Sequence, residues 1–382
     1  MDAPRGVLLL LAGGPGQPGP AFIPLFLKVM PEVMREYRLV MLDQRGTGNT
    51  AIDCPELQEQ VGGSDVKLAT PAAIQDCADS LGATRHHYTS ADTVADLDAL
   101  RQALGVDKWT LDGVSYGSFV AQQYGLTYPE HTTALVLDSV VTQDNADPLY
   151  TASLRGSGRV LRTACREQSC GYDPAKELAT VLRRYGDAVG VLEMLIVMSI
   201  IDPKLTNPQF GVLRRLHAAA SGDPESWREL LGFFQGPDGT PPQQLSAGLH
   251  LAAVCADITD MPWGDSAAPL AGRDEALHAA VSELETEEVW PFQKRTAGEQ
   301  GLVANCRHWP SARPMPAPPH RTLSMPVLLL SGNRDLSTPL EWAEQQLAHT
   351  PYGTHVVIDG AGHSVQRRSP AGARAATDFL LR

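Results

Sequence analysis

Three residues far apart in this chain, Ser115, Asp335 and His363, have the types and settings of a nucleophile–base–acid relay. Ser115 centres the pentapeptide Gly113-Val114-Ser115-Tyr116-Gly117, between a strand-like run (Trp109 to Leu111) and a helix-like one (Phe119 to Tyr124). A G-x-S-x-G between strand and helix reads as a nucleophile elbow. Its glycines permit a turn too sharp for side chains at the neighbouring positions, and the hydroxyl is pushed out at the carboxyl end of a sheet. A serine hydroxyl stays a weak nucleophile until a base takes its proton and an acid orients that base. His363 lies in Gly360-Ala361-Gly362-His363-Ser364, just after the last strand-like run, where a Gly-rich loop can lay the imidazole over the strand ends. His86, His87, His131 and His308 lack that setting and read as ordinary surface or core residues. Asp335 follows another apolar run in Ser331-Gly332-Asn333-Arg334-Asp335. The order Ser…Asp…His fits such a relay. Asp138, which ends the strand after the elbow, is the competing acid.

A tetrahedral oxyanion needs two backbone N–H groups aimed at one point. Tyr116, next to the serine, supplies one. The turn Ala12-Gly13-Gly14-Pro15-Gly16 supplies the other, and since Pro15 has no N–H, Gly14 is the better donor, with Gly13 next. No Gly-Lys-Ser/Thr follows those glycines, so this is not a phosphate loop. Asp43-Gln44-Arg45-Gly46-Thr47-Gly48 reads as a structural loop bracing that turn, with no direct part in chemistry.

The elements that must position these residues alternate. Val7 to Ala12, Leu39 to Asp43, Trp109 to Leu111, Leu135 to Asp138, Val327 to Leu330 and Val356 to Ile358 are short, mostly apolar runs of the kind buried in a parallel sheet. Val94, Leu97, Leu100 and Leu104 recur at helical spacing, with Ser90 as the predicted N-cap and Gly105 as the stop. Helices are also predicted over Leu340 to Leu347 and Ala371 to Leu381. Between about Gln143 and Leu323 β-branched runs become scarce and helical periodicities take over, and Arg313 to Pro319 reads as an extended return linker. The predicted fold class is α/β: a mostly parallel sheet with flanking helices and a large helical cap. Residues 1–142 and 324–382 form its core and 143–323 the cap or lid.

A net charge of −13 excludes the basic footprint that nucleic acid or an anionic membrane requires. No apolar run reaches the roughly 18 to 20 residues of a membrane span; Gly190 to Ile201, interrupted by Glu193, reads as a buried helix. Only Arg5 precedes Val7-Leu8-Leu9-Leu10-Leu11, and no cleavage site follows, so the sequence as it stands reads as one retained in the cytoplasm. The six cysteines point the other way, since an even set implies disulfides and an oxidising compartment. None has C-x-x-C spacing, and fifteen connectivities are open.

Together Gly13-Gly14-Pro15-Gly16, Asp43-Gln44-Arg45-Gly46-Thr47-Gly48, Gly113-Val114-Ser115-Tyr116-Gly117 and Gly360-Ala361-Gly362-His363 resemble the proline iminopeptidase / tripeptidyl aminopeptidase-like branch of the α/β-hydrolases. Tyr88-Thr89-Ser90-Ala91-Asp92 and Cys306-Arg307-His308-Trp309-Pro310 are similar to exported bacterial members. The likeness covers nearly the whole chain and is weakest in the insertion. It implies removal of residues or short peptides from a free peptide N-terminus, or hydrolysis of simple esters. It also implies the pairs Cys54–Cys77, Cys165–Cys170 and Cys255–Cys306, and a secreted or periplasmic location. Relatives carry two antiparallel strands ahead of the Gly-Gly-Pro-Gly strand, and no counterpart precedes Val7 here. Exopeptidases of this branch hold the substrate amine with insertion carboxylates, for which Asp257, Glu283, Glu285 and Glu287 are candidates; Asp257 is carried forward.

The function expected is that of a serine hydrolase working through an acyl-enzyme on a small-molecule or short-peptide substrate, with no metal or cofactor. Exopeptidase is the leading activity and carboxylesterase the alternative; a non-catalytic binding protein on the same fold is the rival from another class.

Overall fold

A computed structural model describes residues 3–145, 147–186, 188–233 and 239–382. Six strands, β1 (Val7–Leu11), β2 (Arg38–Met41), β3 (Trp109–Val114), β4 (Thr132–Asp138), β5 (Val327–Gly332) and β6 (Gly353–Ile358), form one sheet in the order β2-β1-β3-β4-β5-β6. Every pairing is parallel. β1, β3 and β5 are buried at every position, which is why their sequences read as unbroken apolar runs and not as alternations. The register pairs Leu11 with Gly113 and Val114 with Asp138, so β1, β3 and β4 end side by side. Chain order reverses across β1 and β3, and the crevice outside the strand ends at such a switch point is where open α/β sheets bind ligands.

The helices that matter to this crevice are α1 (Ser90–Ala103), α2 (Tyr116–Thr127), α3 (Thr151–Gln168), α4 (Ala188–Ile201), α5 (Ala247–Asp257), α6 (Gly301–Cys306), α7 (Leu340–Leu347) and α8 (Pro370–Leu380). The predicted cap of α1 is off by one residue. Thr89, not Ser90, is the N-cap, because the Thr89 hydroxyl accepts from the Asp92 amide while the Asp92 carboxylate accepts from the Thr89 amide. Ser90 is thereby freed for another contact, described below. The loop 43–48 is a brace, as its sequence implied. Asp43 accepts from the Gly19 amide at 3.0 Å, and Arg45 forks onto Asp96 of α1 at 2.6 and 2.8 Å.

α3 to α6 lie between β4 and β5 in the chain. Their apolar faces share one cluster with Ile52, Cys54, Leu57 and Ile74, so residues 52–78 pack with the insertion although they precede it in the chain. Cystines join Cys54 to Cys77, Cys165 to Cys170 and Cys255 to Cys306, with Cα separations of 5.2, 5.2 and 5.3 Å. These pairs belong to an oxidising environment. Among the described residues, no helix is long and apolar enough to cross a membrane.

The turn from β3 into α2 is tight on both sides. A Cβ on Gly113 would run into the Gly117 carbonyl, and one on Gly117 would lie 2.5 Å from the Leu11 oxygen and 2.7 Å from that of Ala12. The helix therefore starts in backbone contact with the end of β1. Gly117→Ala is expected to lower unfolding stability by about 1–3 kcal/mol, the usual cost of overpacking. Urea denaturation of the purified variant checks this; an unchanged midpoint would refute the close approach.

Candidate active site

Ser115 occupies a strained left-side backbone conformation, φ 59° and ψ −127°, between β3 and α2. Such strain persists only where the surroundings over-determine it. Here the Ser115 amide donates to the Asp138 carbonyl at 2.9 Å, and the Ser115 carbonyl accepts from the Ser118 amide and hydroxyl at 2.8 and 2.6 Å. The loop after β1 runs against the same residue, since a Cβ on Gly13 would come within 3.0 Å of the Ser115 Cβ. Gly14, Pro15, Ser115 and Tyr116 then share the wall of one cavity.

Asp335 and His363 form a buried pair, Oδ2 to Nδ1 at 2.8 Å. Ser337 and Thr338 amides donate to Asp335 Oδ1 at 2.9 and 3.0 Å, and the Thr338 hydroxyl donates to Oδ2 at 2.7 Å. Burial alone would push the Asp335 carboxyl up. The facing imidazole and these donors outweigh it and hold the group below the usual carboxylate range. Ser337 and Thr338 were not singled out in the sequence. Asp-x-Ser-Thr is a recognisable turn signal, in which an Asp side chain bonds amides just ahead of it.

Asp138, the competing acid, does a different job. Its carboxylate accepts from the Val365 and Gln366 amides, both at 2.9 Å, and the Ser139 hydroxyl accepts from the Ser364 amide at 2.8 Å. The end of β4 thus grips the segment just after His363 while holding Ser115 through its own carbonyl. Gln366 also reaches across to donate to Asp112 of β3 at 2.7 Å. The far side of the histidine loop is tied down by α4, whose Ser199 carbonyl accepts from the His363 amide at 3.1 Å. No hydrogen bond joins Ser115 Oγ directly to His363 among the described residues. Nucleophile–base bonds commonly tighten only when substrate is bound.

Asp257 does not stand where it was expected. It is 1% exposed, off the cavity wall, and its two oxygens are taken by the Tyr116 hydroxyl (2.6 Å) and by Ser90 (2.8 Å from the amide). Glu283, Glu285 and Glu287 are exposed and also off the wall. The carboxylates that line the cavity are Asp65 and Asp147. Asp147 is fully engaged, accepting from the Thr151 and Ala152 amides, the Thr151 hydroxyl and the Trp342 indole. Asp65 faces His250 Nε2 at 3.1 Å and the Tyr150 hydroxyl at 3.4 Å, and stays partly open. Val141, Val254, Ile258, Leu302 and Trp342 form the apolar part of the wall, beside the polar Asn145, Ser337 and Thr338.

A family model described as the alpha/beta hydrolase fold matches residues 6–368. The chain is an α/β-hydrolase. It is 34% identical over 168 residues to the tripeptidyl aminopeptidase of Streptomyces coelicolor, a match covering 39% of this chain and only 31% of that relative. It is 24% identical to the serine protease Hip1 of Mycobacterium tuberculosis over 94% of this chain and 75% of the relative. The crystal structure of a proline iminopeptidase from Mycobacterium smegmatis aligns over all of this chain and 91% of its own, at 15% identity and a TM-score of 0.44. As a member of that family the chain is a hydrolase, and the relatives it matches carry peptidase names.

Burial lifts the carboxyl of Asp112, and that of Asp257, to about 7. Both ionise near 4 in an unfolded chain. The folded state therefore holds extra protons between about pH 4 and 7, and stability must fall as pH rises through that window. Each such proton contributes a slope of about 1.4 kcal/mol per pH unit. Urea midpoints at pH 5 and pH 7 are expected to show a shallower decline for Asp112→Asn than for the wild type. A slope that is equal or steeper would contradict this.

Proposed function

We propose that this α/β-hydrolase is a serine exopeptidase. Ser115 attacks the carbonyl carbon as His363 Nε2 takes its proton, while Asp335 fixes the imidazole through Nδ1. The Gly14 and Tyr116 amides receive the oxyanion. His363 then gives the proton to the leaving amine, and a water deprotonated by the same nitrogen hydrolyses the acyl-enzyme. The observation that carries this reading is the Asp335–His363 bond, formed on a loop that Asp138 clamps to the same strand end that holds Ser115. Peptidase-named relatives support the choice of reaction.

Attack from a peptide N-terminus requires a place for an ammonium group. Asp65 is the cavity carboxylate with remaining accessibility, and we assign it the substrate amine in place of Asp257. The apolar part of the wall equally suits the acyl chain of an ester, which keeps carboxylesterase as the second reading. The cystines favour action outside the cytoplasm.

A fluorophosphonate probe is expected to label the wild type, with labelling abolished in Ser115→Ala; labelling that survives the substitution would overturn the nucleophile. Asp65→Asn is expected to raise KM for tripeptidyl arylamides by about 10-fold, since each 1.4 kcal/mol of lost pairing is tenfold in affinity. The same change should leave KM for p-nitrophenyl esters untouched. Equal effects on both substrate classes would reject Asp65 as the amine anchor, and hydrolysis of esters alone would favour the esterase.

A further inference from the structure

We propose that α5, a helix of the insertion, is the brace that sets the spacing of the two oxyanion donors, with Asp257 at its carboxyl end as a positioning residue for Tyr116. The inference rests on the reading of Ser115 as nucleophile and assigns work to a buried group that the catalytic steps do not use. The helix touches both donor segments. At its amino end the Ser246 amide donates to the Gly16 carbonyl at 3.1 Å, and a Cβ on Gly16 would lie 2.6 Å from the Ser246 oxygen. One turn on, His250 Nδ1 sits 3.2 Å from the Pro15 carbonyl. Gly14 is therefore followed at once by two residues pinned to α5. At the other end Asp257 Oδ2 accepts from the Tyr116 hydroxyl at 2.6 Å, so the residue whose amide points at the oxyanion is held by the tip of its own side chain.

Asp257 is itself immobilised. Its second oxygen accepts from the Ser90 amide at 2.8 Å and the Ser90 hydroxyl at 3.2 Å, at the start of α1. No arginine or lysine pairs with it among the described residues. A carboxylate buried without a cation is costly. Its presence at this spot calls for a use that an apolar residue could not serve, and the short bond from the Tyr116 hydroxyl supplies one. α5 is in turn fixed to its surroundings. Cys255, two residues before Asp257, is bridged to Cys306 of α6, and the Ala247 amide donates to Gln58 at 2.9 Å. With both donors tied to one short rigid element, their separation follows the helix and not the looser loops around it.

A donor displaced from the oxyanion weakens the transition state and not the bound substrate, so the signature is a fall in kcat at constant KM. The test uses Tyr116→Phe, which keeps the ring and the amide, Asp257→Asn, and the double variant. Each is assayed with p-nitrophenyl acetate and with phenylboronic acid, which forms a tetrahedral adduct on an active serine. Each single change is expected to lower kcat by at least about 10-fold. KM should stay within about twofold and boronate affinity should fall by the same factor as kcat. The double variant should be no worse than the weaker single, because both changes remove one bond. Unchanged kcat, a loss confined to KM, or losses that multiply in the double variant would overturn the proposal. Tyr116→Phe alone decides if Asp257→Asn does not fold. Failure of the wild type to react with a fluorophosphonate would overturn the nucleophile itself. Labelling of the wild type and both variants at one rate would overturn only the brace.

Discussion

The carboxylate of Asp138, at the end of β4, carries the main structural duty of the crevice. It receives two consecutive amides, Val365 and Gln366, while the carbonyl of the same residue holds the Ser115 amide. One residue thus ties the turn bearing the hydroxyl to the loop bearing the imidazole, two segments separated by most of the chain. The clamp works because it is dry: Asp138 is fully buried, and its bonds are not diluted by competing water. Burial raises its carboxyl above the ordinary value, and the two amides offset part of that cost.

The same economy recurs around the strand ends. Asp112, Asp138, Asp257 and Asp335 are all buried, and each accepts from amides, hydroxyls, a carboxamide or an imidazole, with Asp112 Oδ2 alone left without a partner among the described residues. N–H and O–H donors are directional, so they fix where each carboxylate sits more tightly than a mobile cation would. The site is consequently a lattice of oriented dipoles laid across the ends of β1, β3, β4 and β5. Insertion helices enter that lattice from two sides, α4 through the His363 amide and α5 through Asp257.

Much of this was legible in the sequence because it rests on local rules. All six strands follow from short apolar runs, fully buried in β1, β3 and β5 and partly open in the edge strands β2 and β6, and the elbow from its glycines and flanking elements. Chain order alone did not separate Asp335 from Asp138, since both lie between Ser115 and His363; the contacts that distinguish them are tertiary, one facing the imidazole and the other the backbone beyond it. What escaped depends on contacts between distant segments. Nothing near Asp257 reveals that its helix aims it back at Tyr116 and away from the cavity. Asp65 lies in a short irregular stretch with no periodicity to mark it, and only its meeting with His250 and Tyr150 gives it meaning. The one-residue error at the cap of α1 has the same origin, since Thr89 and Ser90 are equally good local caps and the tertiary demand of Asp257 takes Ser90.

The position of the insertion in the chain has a bearing on synthesis. Ser115 is made before the whole helical cap, whereas Asp335 and His363 are made after it. A ribosome-bound chain therefore carries its elbow long before the imidazole required by the proposed relay exists. Under the proposed mechanism the relay can close only after the insertion helices have been translated.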